Sequence, residues 1–69
     1  MNAPALAAHP PPLPKGTIKS FGPLGPKYAV DALKNRTPDG DWVIGVTLVE
    51  TGEETDYLYS QMKADPEAA

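Results

Sequence analysis

Carboxylates are the side chains whose positions come closest to a pattern that does chemistry. Asp39 and Asp41 flank a glycine, and four more carboxylates lie within residues 50–56. Two carboxylates work as an acid and base pair only when both reach the same reacting atoms. In a meander the turns that carry these groups lie at opposite ends of one strand, about 30 Å apart at ~3.3 Å per residue. We therefore interpret both groups as solvated turn charges, and Asp39-Gly-Asp41 also lacks the further ligands of a calcium loop.

Other reactive residue types lack suitable neighbours. The chain has one histidine, His9, which lies in a proline-rich segment far from any carboxylate in sequence. Cysteine is absent, so disulfides, thiolate zinc sites and cysteine nucleophiles are excluded. The glycine-rich stretch 21–26 lacks the spacing of a phosphate-binding loop and the helix that would follow one. We therefore expect no catalytic residues, no metal, no cofactor and no enzymatic activity.

Length and charge narrow the class of protein. Sixty-nine residues form one domain at most, and a domain this small buries only about 60% of its unfolded surface. Such domains usually gain stability from disulfides, a metal or a partner chain. The net charge is −3 and the six basic residues are scattered, which argues against a phosphate-backbone binder. No apolar run approaches the ~20 residues that span a bilayer, and we expect a cytoplasmic protein.

The composition of the first fourteen residues predicts an arm outside the folded domain. They contain five of the nine prolines and no charged side chain. Proline lacks the N–H that helices and sheets need, so we expect an extended polyproline II segment, disordered on its own. A P-x-x-P segment can dock in an aromatic groove. A tail or linker is the favoured interpretation, because Gly16 occupies the usual flanking basic position.

The central strand is predicted at residues 41–49, between two turn signals. One of its faces is continuously apolar and consists of Trp42, Ile44, Val46 and Leu48. The opposite face is mixed, and Gly45 there marks a bulge or a close approach by another group. We predict strands at 27–34 and 53–59 on either side of it. The fold class is therefore all-β, an antiparallel three-stranded meander with a short C-terminal helical turn; a fourth strand at 15–21 or a small open barrel is the alternative.

Turn chemistry predicts the register of both hairpins. Thr37-Pro-Asp-Gly40 suits a type I turn with a glycine bulge, which pairs Thr37 with Asp41 and sets Arg36 beside Trp42 for a cation–π contact. Continuing that register places Ala32 opposite Val46 and Val30 opposite Leu48. Thr51-Gly52 predicts a two-residue turn with Glu50 opposite Glu53, because the alternative bulged turn buries two carboxylates. That choice places Thr55, Tyr57 and Tyr59 opposite Leu48, Val46 and Ile44, and Leu58 opposite Gly45.

The C-terminal segment predicts one helical turn followed by a loose end. Ser60 is the expected cap, the turn runs to Lys63, and Met62 folds back onto the sheet. Asp65 precedes a proline, so the helix should end there. We expect residues 65–69 to fray as an acidic tail, which leaves residues 15–64 as the folded domain.

Unpaired strand edges favour a binding role. A meander leaves edges at Tyr28–Leu33 and Thr55–Tyr59, which can recruit another strand. We therefore expect a regulatory or interaction protein that binds a protein partner or self-associates through an edge or the outer face. The residues expected to bind are Val43, Gly45, Val49, Leu58 and Leu33. The alternative is a single-stranded nucleic-acid module using Tyr28, Trp42, Tyr57 and Tyr59, although these residues are assigned to the core and the net charge is unfavourable.

Several of these segments also resemble a known family. The residues that carry the likeness are Ile18-Lys-Ser-Phe-Gly-Pro-Leu-Gly-Pro-Lys-Tyr28, Asp39-Gly-Asp-Trp42, Val46-Thr-Leu-Val-Glu-Thr-Gly-Glu53 and Asp65-Pro-Glu67. From about Lys15 to Ala68 the chain resembles a family of short uncharacterised proteobacterial proteins, a domain of unknown function. The resemblance implies a bacterial cytosolic protein and supplies no activity, cofactor or site residue. It does not distinguish an antitoxin-like or inhibitor-like protein from another accessory protein.

Overall fold

The chain folds as one antiparallel sheet with a short helix at its C-terminal end. The structure is a computed structural model that describes residues 10–68. Its elements are β1 (Ile18–Ser20), β2 (Lys27–Arg36), β3 (Trp42–Leu48), β4 (Glu54–Leu58) and α1 (Tyr59–Ala64). The four strands follow one another in the order β1-β2-β3-β4. The predicted all-β class with one helical turn is confirmed, and the fourth strand, left open by the sequence, is present.

The core lies on one face of the sheet, beneath α1. Its buried side chains are Tyr28, Val30, Ile44, Val46 and Met62. Alternate residues of β2 and β3 supply the first four, as period-two patterning requires. Met62 reaches down from α1 and is 1% exposed, so its predicted return to the sheet is confirmed. Each fully buried apolar side chain contributes roughly 1.5–3 kcal/mol to folding.

The N-terminal arm is held against the domain where the structure describes it. Leu13 packs on the core cluster, and the Tyr59 hydroxyl donates a hydrogen bond to the carbonyl of Pro12 at 2.9 Å. The C-terminal end of the predicted arm thus contacts the folded domain through Pro12 and Leu13. Residues 1–9, His9 among them, and residue 69 lie outside the described range.

The first hairpin has the predicted turn. The Thr37 N–H donates to the Asp41 carbonyl at 2.9 Å, and Gly40 has a φ of +93°. A positive φ at this position is what a type I turn with a glycine bulge needs. Arg36 pairs with Trp42 across the strands, as predicted. The cation–π contact found among residues 10–68, however, joins Lys63 to the Tyr59 ring, with Nζ 5.8 Å from the ring centroid.

Further along that hairpin the predicted register is wrong. Val30 pairs with Val46 and Tyr28 with Leu48, so neither Ala32–Val46 nor Val30–Leu48 is a pair. The ladder shifts twice, between Val30 and Ala32 and again between Leu33 and Asn35. Each shift is a bulge in which β2 carries one extra residue. The bulges let Val30 and Leu33, three residues apart, both face the core, although strict period-two alternation would place Leu33 on the opposite face.

The second hairpin is displaced by two residues from its predicted register. Leu48 N–H donates to the Glu53 carbonyl at 2.8 Å, which closes a four-residue loop over 49–52. Thr55 therefore lies opposite Val46 rather than Leu48, and the Glu50–Glu53 pair is wrong. The longer loop takes Glu50 out of the ladder and places Gly52 at a φ of +75°. A shift of two residues keeps every side chain on its predicted face.

Helix α1 ends as predicted but begins differently. Leu58 is its N-cap residue and no side chain caps it, so the assignment of Ser60 as the cap is wrong. The Asp65 N–H donates to the carbonyls of Gln61 and Met62, and the helix stops before Pro66.

The C-terminal tail pairs with β1 instead of fraying. The Ser20 N–H donates to the Pro66 carbonyl at 3.1 Å, and the Ala68 N–H donates to the Ile18 carbonyl at 2.8 Å. Glu67 thereby forms a bridge with Lys19. The expected fraying is therefore wrong for residues 66–68. Their backbone satisfies the outer edge of a three-residue strand that would otherwise be unpaired.

Candidate functional site

A carboxylate with two tyrosine donors lies where α1 meets the sheet. Asp65 Oδ2 accepts hydrogen bonds from the Tyr28 and Tyr57 hydroxyls, both at 2.8 Å. Its Oδ1 accepts the Gly22 N–H at 3.1 Å. Phe21 packs beside them, with ring centroids 4.3 Å from Tyr28 and 4.9 Å from Tyr57. We call these five residues the Asp65 cluster.

Protonation in the Asp65 cluster suits anchoring rather than proton transfer. Burial alone would raise the pKa of Asp65, but hydrogen bonds from Tyr28, Tyr57 and Gly22 outweigh it and lower the pKa below 3.8. Burial and the bond to Asp65 raise the pKa of Tyr57 to about 12, and burial raises that of Tyr28 further. At neutral pH the carboxylate is charged and both hydroxyls keep their protons. A general acid or base works best with a pKa near the working pH. The hydrogen bonds from Tyr28 and Tyr57 to Asp65 tie the tail to the sheet.

Lys19 is the buried charge beside the Asp65 cluster. The residue is 7% exposed, and its Nζ donates to the Met62 carbonyl at 2.5 Å, near the end of α1. A cation there meets the negative end of the helix dipole and shares the Met62 carbonyl with the Asp65 N–H. Its charge also helps to lower the pKa of Asp65.

The sequence did not predict the contacts that Lys19 and Asp65 make. The signal that was available is the family resemblance, because Lys19, Phe21, Gly22 and Tyr28 belong to one matching segment and Asp65 to another. The structure brings these two segments together. Their shared pattern therefore describes how the C-terminal tail is attached.

Asp41 also has a structural partner that the sequence did not predict. Its Oδ2 accepts the Ser60 hydroxyl at 2.6 Å and its Oδ1 accepts the Trp42 N–H at 2.8 Å. The hydrogen bond from Ser60, then that from Trp42, lowers the pKa of Asp41. This carboxylate joins the first turn of α1 to the start of β3. Among residues 10–68, no three acidic, histidine or cysteine side chains are grouped to hold a metal ion.

The outer face of the sheet, opposite the core, carries most of the predicted binding residues. Val43 pairs with Leu58, and Gly45 pairs with Asp56. Val49 is half exposed at the other end of the sheet, where it lines a groove with Pro26 and Lys27. Leu33 packs against the core instead. Val43, Gly45 and Leu58 thus lie together, whereas Val49 and Leu33 lie apart from them.

Gly45 is covered by Lys34 and not by Leu58, so the predicted cover is wrong. A Cβ atom at Gly45 would lie 3.1 Å from Lys34 Cε. The Lys34 Nζ continues across to Asp56 Oδ1 at 2.7 Å, and this ion pair raises the pKa of Lys34. The reason is the register of β4, which sets Asp56 opposite Gly45.

Gly45→Ala tests this arrangement. The nearest neighbour of the new methyl group is the far end of a flexible lysine, so we expect the side chain to move by a few tenths of an ångström. Alanine also restricts the unfolded chain relative to glycine. The free energy of unfolding measured in urea should change by less than about 1 kcal/mol. A loss of several kcal/mol would mean that Lys34 cannot move.

The edges of the sheet differ in how they are closed. The tail 66–68 covers β1, and β1 covers residues 27–29 of β2, so the predicted edge at Tyr28–Leu33 is half closed. The remainder of β2 carries both bulges, which discourage strand pairing. Among residues 10–68, no strand pairs with the outer edge of β4. Beside that edge lies an open groove of about 290 Å³, lined by Val43, Asp56, Tyr57, Leu58 and Gln61.

Two of the aromatic residues named for the nucleic-acid alternative pack together beside the core. Tyr28 is fully buried, and Tyr57 packs edge-on to it with ring centroids 5.4 Å apart. The hydroxyls of Tyr57 and Tyr59 are both engaged in hydrogen bonds. Stacking needs aromatic faces that are open to solvent. The Tyr28 ring is therefore not open for stacking.

Over residues 10–68, these features define a small single-sheet protein whose tail is tied back by a carboxylate and whose last strand leaves one edge open. The chain belongs to a family of unknown function (DUF5397), whose model matches residues 6–69. It is 41% identical over 56 residues to an uncharacterised protein of Haemophilus influenzae strain Rd, covering 81% of this chain and 89% of that protein. Within the part of the chain that the structure describes, no helix is long and apolar enough to cross a membrane.

Proposed function

We propose that this chain is a non-enzymatic interaction protein that binds a protein partner through the outer edge of β4 and the groove beside it. The observation that carries the proposal is the contrast between the edges. The tail closes β1 and bulges interrupt β2, whereas within residues 10–68 β4 pairs on one side only. An added strand gains main-chain hydrogen bonds along such an edge, and an adjacent pocket selects its side chains.

The remaining polar groups support a role without chemistry. Asp65 and Asp41 are committed to holding the tail and α1 in place. Small sheets also gain stability when a further strand is added. An accessory protein of the inhibitor or antitoxin kind, working in the cytoplasm, fits these properties, and either a foreign partner or a second copy can supply the strand.

A photo-crosslinking amino acid placed at Glu54 tests this function. We expect it to form a discrete adduct in the native host, because position 54 lies on the open edge. The same group placed at Lys15, on the opposite side of the sheet beyond β1, is the matched control and should give no such adduct. Mass spectrometry of the adduct shows whether the partner is a second copy. The proposal fails if neither position gives an adduct, or if both give the same ones.

A further inference from the structure

We infer that the β4 edge accepts an extended segment in which two basic residues and one apolar residue alternate along one face. This inference rests on the proposed function and specifies the chemistry of the partner. It follows from the backbone groups, the charges and the groove along β4.

The backbone groups free to pair follow from the ladder between β3 and β4. Hydrogen-bonded and non-hydrogen-bonded pairs alternate along antiparallel strands. The Leu48 N–H donates to the Glu53 carbonyl at 2.8 Å, so these residues form a hydrogen-bonded pair and every second residue after Glu53 also bonds to β3. The backbone groups that point away from β3 therefore belong to Glu54, Asp56 and Leu58, and the carbonyl of Leu58, the N-cap residue, is taken up by α1.

The side chains of those same three residues lie on the outer face. Gly45 and Val43, opposite Asp56 and Leu58, belong to that face, and side chains on one face recur every two residues. Two of the three are carboxylates. Within residues 10–68 the one ion pair is Lys34–Asp56, so Glu54 has no salt-bridge partner among those residues. Opposite charges facing each other across strands stabilise pairing, whereas like charges oppose it.

The groove would receive the apolar residue of the bound segment. It lies at the Leu58 end of β4 and is bounded by Val43, Tyr57 and Gln61. An antiparallel segment paired with β4 runs from Leu58 towards Glu54. Its side chains on the outer face would meet the groove first, then Asp56, then Glu54. The matching pattern is therefore apolar-x-basic-x-basic, where x faces away.

A second copy fits this edge poorly. Two β4 strands paired about a two-fold axis through their centre would set Asp56 opposite its own counterpart. Each Asp56 is already paired with Lys34, while Glu54 would lie opposite Leu58 of the second copy and gain no cation across the strands. The charge on β4 therefore favours a foreign basic strand over self-association.

A direct binding measurement tests the inferred pattern with the full chain. The probe is the capped peptide Thr-Leu-Thr-Lys-Val-Arg-Thr, and its matched control carries glutamate in place of lysine and arginine. We expect the basic peptide to bind roughly tenfold more tightly, from two favourable cross-strand charge pairs against two unfavourable ones. The amide signals of Glu54, Asp56 and Leu58 should shift on titration. Equal binding of the two peptides overturns the inference, as does a shift confined to other strands.

Substitutions in β4 provide a second test of the inferred pattern. Glu54→Pro removes an outward N–H, which an edge strand tolerates, and should abolish binding with little change in melting temperature. Because proline can disturb a strand, Glu54→Lys is the independent test and should abolish the preference, since each peptide then makes one favourable and one unfavourable charge pair. Glu50→Gln, in the loop, is the control and should leave binding unchanged. Binding by Glu54→Lys with the original preference overturns the inference.

The peptide result and the crosslinking result separate the two proposals. Crosslinks from position 54 without peptide binding mean that the basic pattern is wrong while the proposed function stands. The absence of both means that the edge is not a binding surface. Peptide binding together with a position-54 adduct to a segment of this pattern supports both proposals.

Discussion

Asp65→Ala should be among the most damaging substitutions in this chain, lowering the free energy of unfolding by about 3 kcal/mol. It removes the acceptor for the Tyr28 and Tyr57 hydroxyls, and Tyr28 is fully buried. A buried donor left without a partner costs roughly 1–3 kcal/mol. A domain of this length has a total stability of about 3–10 kcal/mol. Urea and thermal unfolding followed by circular dichroism measure the loss, and we expect the melting temperature to fall by about 15 °C.

Two controls show whether the hydrogen bonds are responsible. Adding Tyr28→Phe to Asp65→Ala removes one of the orphaned donors and should recover part of the stability. Glu67→Ala changes an exposed side chain of the same tail and should cost less than about 0.5 kcal/mol. If the double variant is no more stable than Asp65→Ala, the tyrosine bonds do not carry the effect.

The pH dependence of the same variant gives an independent check. The pKa of Asp65 is lowered in the folded protein, so its contribution is present above the unfolded pKa of 3.8 and is lost as the pH falls through the folded value. The stability difference between wild type and Asp65→Ala should therefore shrink in that acid range. A difference that stays constant with pH would contradict the assigned charge.

The local features of this fold could be predicted from the sequence because they depend on neighbouring residues. The apolar face of β3 follows from alternation, and the turn at Gly40 follows from the position of proline and glycine. The predicted register of the second hairpin was wrong by two residues. It still places Thr55 and Tyr57 on the core side, because side chains alternate with period two.

The predictions were wrong where two local conformations are both compatible with the sequence, or where residues far apart in the chain come into contact. Leu33 breaks alternation, and either an edge position or a bulge accommodates it; the core contact with Ile44 selects the bulge. Lys19 and Gly22 each bond to a residue 43 positions away in the chain. No local pattern predicts such contacts. The tail therefore looked free although it closes the first edge of the sheet.

Part of the candidate binding surface follows from the alternation of side chains along the strands. Val43, Gly45 and Leu58 share a face by parity, which a shift of two residues preserves. Leu33 and Val49 were placed by continuing a register that the bulges and the longer loop interrupt. The open edge at β4 was predicted, whereas its contrast with a closed β1 edge required the structure.

Alkaline pH should unfold this protein through its tyrosines. The pKa of Tyr57 rises from 10.0 to about 12, first because the side chain is buried and then because its hydroxyl bonds to Asp65. A folded pKa above the unfolded one means that the contribution to stability is complete below pH 10 and is lost as the pH rises towards 12. A difference of this size is equivalent to roughly 2–3 kcal/mol. Tyr28, whose pKa is raised further, adds to the loss.

Urea unfolding between pH 9 and pH 12, with tyrosinate absorbance recorded in parallel, measures this effect. Tyr57→Phe should be less stable at neutral pH but lose less stability between pH 10 and pH 12 than the wild type, because the titrating group is gone. Tyr59→Phe is the matched control, since its hydroxyl bonds to the Pro12 carbonyl and not to a carboxylate. It should keep the wild-type pH profile. If all three proteins lose stability equally over that range, alkaline unfolding does not pass through the Asp65 cluster, and Asp65 anchors the tail without depending on the proton of Tyr57.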